Sequence, residues 1–295
     1  MKEGLRISIL MMFLMSMAFP IMSQYKYKRP KPKNSYGQGT LDFAWGYNQS
    51  GYSKSNIRFV GNNYDFRLKG VRARDEQTPF SGEYFNPMKF TEPQYNVRLG
   101  YNFKNFWNIS FGLDHMKYVI ENEQTVVITG FVNPGVDPLW SGIFGNGQER
   151  QLSESHFQYQ NIGGLNYVRL QLSRNVAPFE FARDRQFSIN WLYGVSAGAI
   201  ISFTDYTFEG YRSERVNSLS GYGLSIHTGL RFVFFKHFFL QTNLAGGLMH
   251  QVKAKTRTAA GNYASHVFTY GAVEGLFGFL FYIRPTNDCN SCPKW

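Results

Sequence analysis

Cysteine is nearly missing from this 295-residue sequence: only Cys289 and Cys292 occur, in a short C-terminal tail over 285–295. A lone CxxC has three ordinary uses: a redox pair, half of a zinc site or a disulfide. No second CxxC and no flanking histidine supports zinc. In an oxidising compartment we expect the two cysteines to form a small disulfide loop.

Long apolar runs are also missing after residue 24, and the mean hydropathy is mildly polar at −0.33. A membrane-spanning helix needs about 20 consecutive apolar residues, so the sequence excludes helical spans beyond that point. Only helices and closed barrels satisfy their own backbone hydrogen bonds in lipid. If the chain is in a membrane, it must be a barrel.

The N-terminal segment has the pattern of an export signal. Lys2 and Arg6 precede an apolar stretch over 7–22, and Ser23 stands before Gln24. A charged region, a short apolar region and a small residue at the cut are typical of a signal peptide, which we expect over residues 1–23. A retained N-terminal anchor is the alternative, and the apolar stretch is short for one.

A basic leader follows over residues 24–38 and accounts for part of the net charge of +11. It contains Lys26, Lys28, Arg29, Lys31 and Lys33 among prolines, which is typical of an extended tail. Such a tail can contact anionic lipid, a cell-wall polymer or other envelope proteins, or simply stay solvated. Export argues against nucleic acid as the partner.

Aromatic residues, at 18% of the chain, alternate with polar ones along several segments. Over residues 95–103, Tyr and aliphatic side chains at odd positions oppose Asn, Arg and Gly at even positions, and residues 107–114 follow the same rule. A period of two indicates two-faced β-strands and fits no helix. Residues 163–164, both glycine, mark a change of face where we expect a bulge.

The connections between these segments alternate in length. Tight turns near residues 61–63, 102–105 and 235–237 contrast with long polar loops over 74–92, 133–154, 209–217 and 253–265. We predict an all-β fold, a closed antiparallel barrel of about ten strands within residues 39–284, with eight to twelve strands as the range. The predicted strands are 39–48, 54–61, 63–74, 93–104, 106–131, 154–173, 186–206, 217–235, 237–252 and 265–284, with a break in the fifth near 121–123.

Alternation alone does not say which face is inside, but three features favour apolar residues facing lipid. The strands are long enough to cross a bilayer, the apolar supply exceeds what a small barrel interior holds, and the other face is polar. In this pattern the chain resembles small outer-membrane β-barrel proteins of Gram-negative bacteria. The resemblance implies fold and outer-membrane location, with lipid as a partner, and no catalytic role.

Charged residues on the polar faces are the candidate functional site. If these faces point inward, the lumen collects Asp42, Asp65, Arg67, Lys69, Arg98, Asp114, His227, Arg231 and Glu274. Mixed charges in so narrow a barrel are expected to pair and fill it, because small barrels are packed with side chains. The functional alternative is a narrow charged pore or a proton-linked site.

No catalytic motif stands out, and we predict no enzyme, metal or cofactor. Asp114 and His115 are adjacent on a strand and face opposite ways, so they do not form part of one triad. Residues 153–156, Ser-Glu-Ser-His, are a weak second candidate. We therefore rank a structural or interaction role first, such as an accessory of a secretion or surface-assembly machine. A small-solute channel comes second and a rim hydrolase third.

Overall fold

The computed structural model describes residues 36–79, 81–82, 93–176, 179–181 and 187–283, and the regular elements within these ranges are β-strands. They are β1 (Thr40–Tyr52), β2 (Ser55–Gly61), β3 (Tyr64–Val71), β4 (Ala73–Arg74), β5 (Tyr95–Lys104), β6 (Trp107–Ile120), β7 (Thr125–Val132), β8 (Gly142–Gln151), β9 (Gln158–Asn175), β10 (Phe179–Phe181), β11 (Phe187–Phe208), β12 (Tyr211–Phe234), β13 (Phe238–Lys255) and β14 (Tyr263–Tyr282).

Eight of these strands close into a ring. Hydrogen-bonded neighbours follow the order β1, β5, β6, β9, β11, β12, β13 and β14, and β14 pairs with β1 along the whole of β1. All eight pairings are antiparallel. A closed ring leaves no open sheet edge within the barrel. The predicted all-β antiparallel fold is confirmed, and the ring in the described residues has eight strands where about ten were predicted.

Two connections at the lower end of the ring are short, and two connections at its upper end are long. Residues 105–106 and 235–237 join adjacent strands at the lower end, where turns were predicted. Phe235 and Lys236 adopt φ angles of 51° and 63°, which lets three residues reverse the chain. At the upper end, residues 53–94 and 121–157 contain β2, β3, β4, β7 and β8.

The strands outside the ring form an extension at its upper end. β2 pairs with the upper end of β14, and the sheet continues through β3 and β7 to β8. Together with the upper parts of β9, β11, β12, β13 and β14 these strands form what we call the upper domain. The second and third predicted strands belong here and not to the barrel ring, because seven or eight residues are too few to cross a bilayer.

The boundaries of other predicted elements also change. The predicted fifth strand divides into β6 and β7 at residues 121–124, as the suspected break indicated. The predicted loop over 209–217 is a two-residue turn, since β12 begins at Tyr211. The register between β6 and β9 shifts between Met116 and Tyr118, opposite Gly164 with its φ of 133°, where a bulge was predicted.

The lower barrel and the upper domain differ in which face of their strands is apolar, and β14 shows the change along a single strand. In its lower half Val273 and Phe277 face outward while Glu274 is buried inside. In its upper half Phe268 is buried inside and Thr269 is outside. The lower barrel is thus apolar outside and largely polar inside, whereas the upper domain has an apolar core.

The outer wall of the lower barrel is covered by exposed apolar side chains. Leu99, Phe111 and Ile226, from three different strands, are 57%, 54% and 67% exposed. Aromatic residues cluster towards the lower end, among them Phe238, which packs edge-on against Phe279 across β13 and β14. Such a wall is stable in contact with hydrocarbon and unfavourable in contact with water.

Candidate functional site: the charged barrel interior

Two arginines converge in the middle of the barrel because a glycine separates them. Arg98 on β5, Gly112 on β6 and Arg169 on β9 lie in one row of paired residues. A Cβ on Gly112 would lie 3.0 Å from Arg98 Cδ, so a larger residue here would crowd the Arg98 side chain. Both arginines are buried, and Arg169 is only 1% exposed.

Two carboxylates bridge these guanidinium groups. Asp114 Oδ2 lies 2.9 Å from Arg169 Nε, and Asp114 Oδ1 is paired with Arg98 Nη2. Glu274 Oε1 lies 2.9 Å from Arg169 Nη2 and 3.3 Å from Arg98 Nη2. Asn243 donates to Glu274 Oε2 at 2.9 Å. Each carboxylate therefore touches both arginines, and the four side chains form a closed ring of ion pairs.

A third ion pair continues the network towards the lower end. Arg231 Nη2 lies 3.5 Å from Asp42 Oδ2, Arg231 Nε donates to Gln241 at 2.6 Å, and Asn108 donates to Asp42 Oδ1 at 2.7 Å. The Arg231 guanidinium also stands 4.1 Å above the ring centre of Phe239. Three guanidinium groups thus face three carboxylates, which balances the buried charge.

His227 belongs to the same interior but not to the ion pairs. Its Nε2 lies 3.1 Å from Ser173 Oγ and 3.2 Å from Gln171 Nε2. Serines fill the remaining space: Arg169 Nη1 donates to Ser196 at 3.1 Å and to Ser225 at 3.2 Å. Neutral polar groups therefore supply part of the hydrogen bonding around the charges, while His227 Nδ1 stays buried without a hydrogen-bond partner in the described residues.

The interior is closed at three levels. The cavity beside Asp42 and Arg98 has a volume of about 20 Å³, room for about one water molecule. Below it lies an apolar cluster that includes Tyr36, Phe239 and Leu280. Above it lies the aromatic core of the upper domain, in which the Phe59 ring stacks on Tyr206 with centroids 5.5 Å apart.

The interior brings together six of the nine residues that the sequence placed in the lumen: Asp42, Arg98, Asp114, His227, Arg231 and Glu274. Asp65, Arg67 and Lys69 do not join them, because they lie on β3 in the upper domain with their side chains on its outer face. Asp65 instead pairs with Arg58 on β2. Cys289 and Cys292 lie outside the described residues.

Arg169 is the residue that the sequence analysis missed, although it contacts both central carboxylates. The signal was present in the alternation of β9, where Val168, Leu170 and Leu172 occupy the outward positions. The face change near Gly164 obscured it, because the bulge reverses the alternation below that point.

The hydrolase candidates do not assemble a triad. Asp114 faces the barrel interior, whereas His115 contacts Asn166 at 2.8 Å on the other side of β6. His156 Nδ1 lies 2.9 Å from Ser155 Oγ at an exposed turn. A further serine–histidine pair, Ser55 and His266 at 3.1 Å, has Gln251 and not a carboxylate on the second ring nitrogen. A nucleophile and base without an orienting carboxylate is an incomplete triad.

Neither metal ligation nor a helical membrane span is found in the described ranges. No group of three or more His, Cys, Asp or Glu residues is placed there to hold a metal ion. In the same part of the chain, no helix is long and apolar enough to cross a membrane.

The closed ring of eight antiparallel strands, apolar outside and polar inside, decides the architecture. The chain has the fold of an outer-membrane β-barrel protein. No protein-family model matches its sequence, and no curated protein is significantly similar to it.

Solved structures that are similar to the chain include three outer-membrane proteins. OprG from Pseudomonas aeruginosa is 10% identical, with a TM-score of 0.39 and coverage of 85% of this chain and 99% of OprG. Ail, the attachment invasion locus protein of Yersinia pestis, is 12% identical, with a TM-score of 0.29 and coverage of 83% and 99%. The outer membrane protease OmpT from Escherichia coli is 7% identical, with a TM-score of 0.31 and coverage of 82% and 96%.

Proposed function

We propose that the protein is an integral outer-membrane barrel that is closed to solutes and has a structural or interaction role outside the cell. The observation that carries the proposal is the closed interior, because a conducting barrel needs a continuous aqueous path. The cavity of about 20 Å³ beside Asp42 and Arg98 is too small for any solute larger than water.

The membrane location is supported by the outer wall. A barrel strand tilted by about 40° rises about 2.5 Å along the membrane normal for each residue, so an apolar band of about 25 Å covers about ten residues. On β14 the outward positions over residues 271–281 are phenylalanine, valine or glycine, which is a band of this length. Delivery by the signal peptide predicted over residues 1–23 fits this location.

In this proposal the upper domain is the part of the protein that contacts a partner. Its sheet of β2, β3, β7 and β8 has an inner face buried in the aromatic core and an outer face that carries exposed polar and charged side chains. Whatever binds there does not need the barrel to open. This separates the proposal from its alternative, a narrow channel, in which the charged interior itself would act on a solute.

Planar-bilayer recordings with the purified full-length protein test the closed interior. We expect no discrete, long-lived conductance steps at any applied voltage. Large and stable conductance would refute a closed barrel and favour the channel. Carbonate washing of membranes tests the location independently: the protein should remain in the outer-membrane fraction, and release into the aqueous fraction would refute membrane insertion.

Cysteine labelling of intact cells tests the orientation. Gly145 lies on β8 in the upper domain, and Lys104 lies at the lower end of β5. A membrane-impermeant thiol reagent should label Gly145→Cys on intact cells, and Lys104→Cys only after the outer membrane is permeabilised. Both variants are made in a Cys289→Ser, Cys292→Ser background, and the reverse labelling pattern would invert the proposed orientation.

A further inference from the structure

A cleft opens on the outer surface where β2 leaves the barrel wall. β14 pairs with β1 up to Tyr270 and with β2 only from Ser265 upward. Between these two stretches lies a cleft with a volume of about 440 Å³. It is separate from the barrel interior and from the charged network within it.

The cleft is lined by cationic side chains. Lys54, Arg58 and Arg67 contribute to its walls together with His250, and no acidic residue lines it in the described part of the chain. Arg58 is neutralised by Asp65, whereas Lys54 and Arg67 are exposed and take part in none of the ion pairs described. Lys54, Arg58 and Arg67 together exceed the Asp65 carboxylate by two positive charges in a concave site, an arrangement that favours an anion.

Its height relative to the membrane identifies the source of that anion. Above Gly271 the outward positions of β14 are Thr269, Val267 and Ser265, and the last two line the cleft, so the cleft lies at the upper edge of the apolar wall. The neighbouring strand carries His250 at the same level, where its ring contacts Tyr222 with centroids 5.2 Å apart. Aromatic residues of this kind mark the membrane–water interface, so the cleft lies at the level of the lipid headgroups.

We propose that this basic cleft binds the phosphate group of a lipid in the outer leaflet. The inference rests on the proposed membrane location and adds a ligand that the closed barrel does not require. Lys54 and Arg67 hold the phosphate, and Arg58 fixes one wall through its pair with Asp65. A phosphomonoester, with nearly two negative charges, matches this net charge better than a phosphodiester does.

Native mass spectrometry of the full-length protein, released from phosphatidylcholine nanodiscs that contain phosphatidic acid, tests the site. Replacing both Lys54 and Arg67 by Gln should weaken retention of the first phosphatidic acid molecule about thirtyfold, since each basic residue near the surface contributes about a factor of five. Replacing Lys255 and Arg215 by Gln is the matched control, because it removes the same charge from the upper domain without touching the cleft. We expect less than a twofold change there.

The outcomes separate the proposals. Equal loss in the cleft variant and its control would overturn the site and leave only general attraction to anionic lipid. Competition by inorganic phosphate at the same affinity as phosphatidic acid would assign the cleft to a free anion and not to a lipid. Heat-modifiability on a gel is checked first, since failure to insert into the nanodiscs would refute the membrane location and not the cleft.

Discussion

Removing Arg169 tests whether the buried charges stabilise the barrel as one unit. Arg169→Met replaces a guanidinium that lies 2.9 Å from an oxygen of both Asp114 and Glu274. Two opposite charges about 4 Å apart attract by about 4 kcal/mol at an effective dielectric constant of 20, which gives about 8 kcal/mol for the two pairs. The variant no longer pays the desolvation of Arg169, so we expect a net loss of about 3–5 kcal/mol in the free energy of unfolding.

The double variant Arg169→Met, Glu274→Gln provides the decisive comparison. It restores the charge balance, leaving Arg98 with Asp114 and Arg231 with Asp42. We expect it to be more stable than Arg169→Met alone, by up to about 3 kcal/mol, because the unpaired carboxylate is gone.

Urea unfolding of the protein in lipid vesicles, followed by tryptophan fluorescence, measures these free energies. Lys255→Met serves as the control, because Lys255 is exposed on the upper domain away from the cleft, and it should change stability by less than about 0.5 kcal/mol. A loss below about 1 kcal/mol in Arg169→Met would contradict the reasoning. So would a double variant as unstable as the sum of the two single variants.

Four further experiments examine other parts of the molecule. Arg98→Ala should remain non-conducting in planar bilayers, because the apolar clusters above and below the ion pairs still close the barrel, and channel openings would show that the ion pairs are the gate. Leu99→Arg, on the outer wall, should hinder membrane assembly by about 2–4 kcal/mol in vesicle-folding assays, whereas a similar loss in Leu99→Ala would mean that charge is not the cause. Phe59→Ala removes the ring at the centre of the upper core and should cost about 3–5 kcal/mol there, seen as new protease cleavage in the upper domain while the barrel stays heat-modifiable. Burial raises the pKa of Asp75, which follows β4 and is not part of a barrel strand, so ionisation opposes folding: stability should increase as the pH falls through that raised pKa, and Asp75→Asn should remove this dependence in urea unfolding at several pH values.

The periodicity of the sequence predicts the barrel strands well, because the membrane imposes one rule on all of them. β5, the first half of β6 and the lower part of β12 carry apolar residues at alternate positions, with Thr228 as the exception in β12. Six of the nine residues that the same rule assigned to the lumen lie in the barrel interior. They face inward because the outward positions beside them must be apolar.

The same rule fails for the upper domain, for a physical reason. β2 and β3 alternate as regularly as the barrel strands, with Phe59 and Phe66 opposed to Arg58 and Arg67. A period of two reveals two faces but not which face is inside, so Arg67 was assigned to the lumen although it faces solvent. Only the short length of β2 and β3 distinguishes them from barrel strands in the sequence. β8 is rich in glycine and charged residues and has no clear alternation.

Replacing an inward-facing residue by arginine illustrates a second limit of prediction from the sequence. The sequence indicates a polar inner face but not how densely it is packed. Asn96 donates to Asp114 at 2.5 Å and Asn190 is fully buried, so an added guanidinium would find no space at either position. A polar inner face is therefore no more tolerant of large side chains than an apolar core.

The inversion of polarity along β14 has a consequence for immersion depth. Sinking the barrel would carry the cations of the cleft towards hydrocarbon, and raising it would bring Val273, near the top of the apolar band, towards water. Both displacements cost free energy, so the barrel keeps one depth in the membrane. Because the same strand continues unbroken into the upper domain, that domain is held at a fixed distance above the membrane surface.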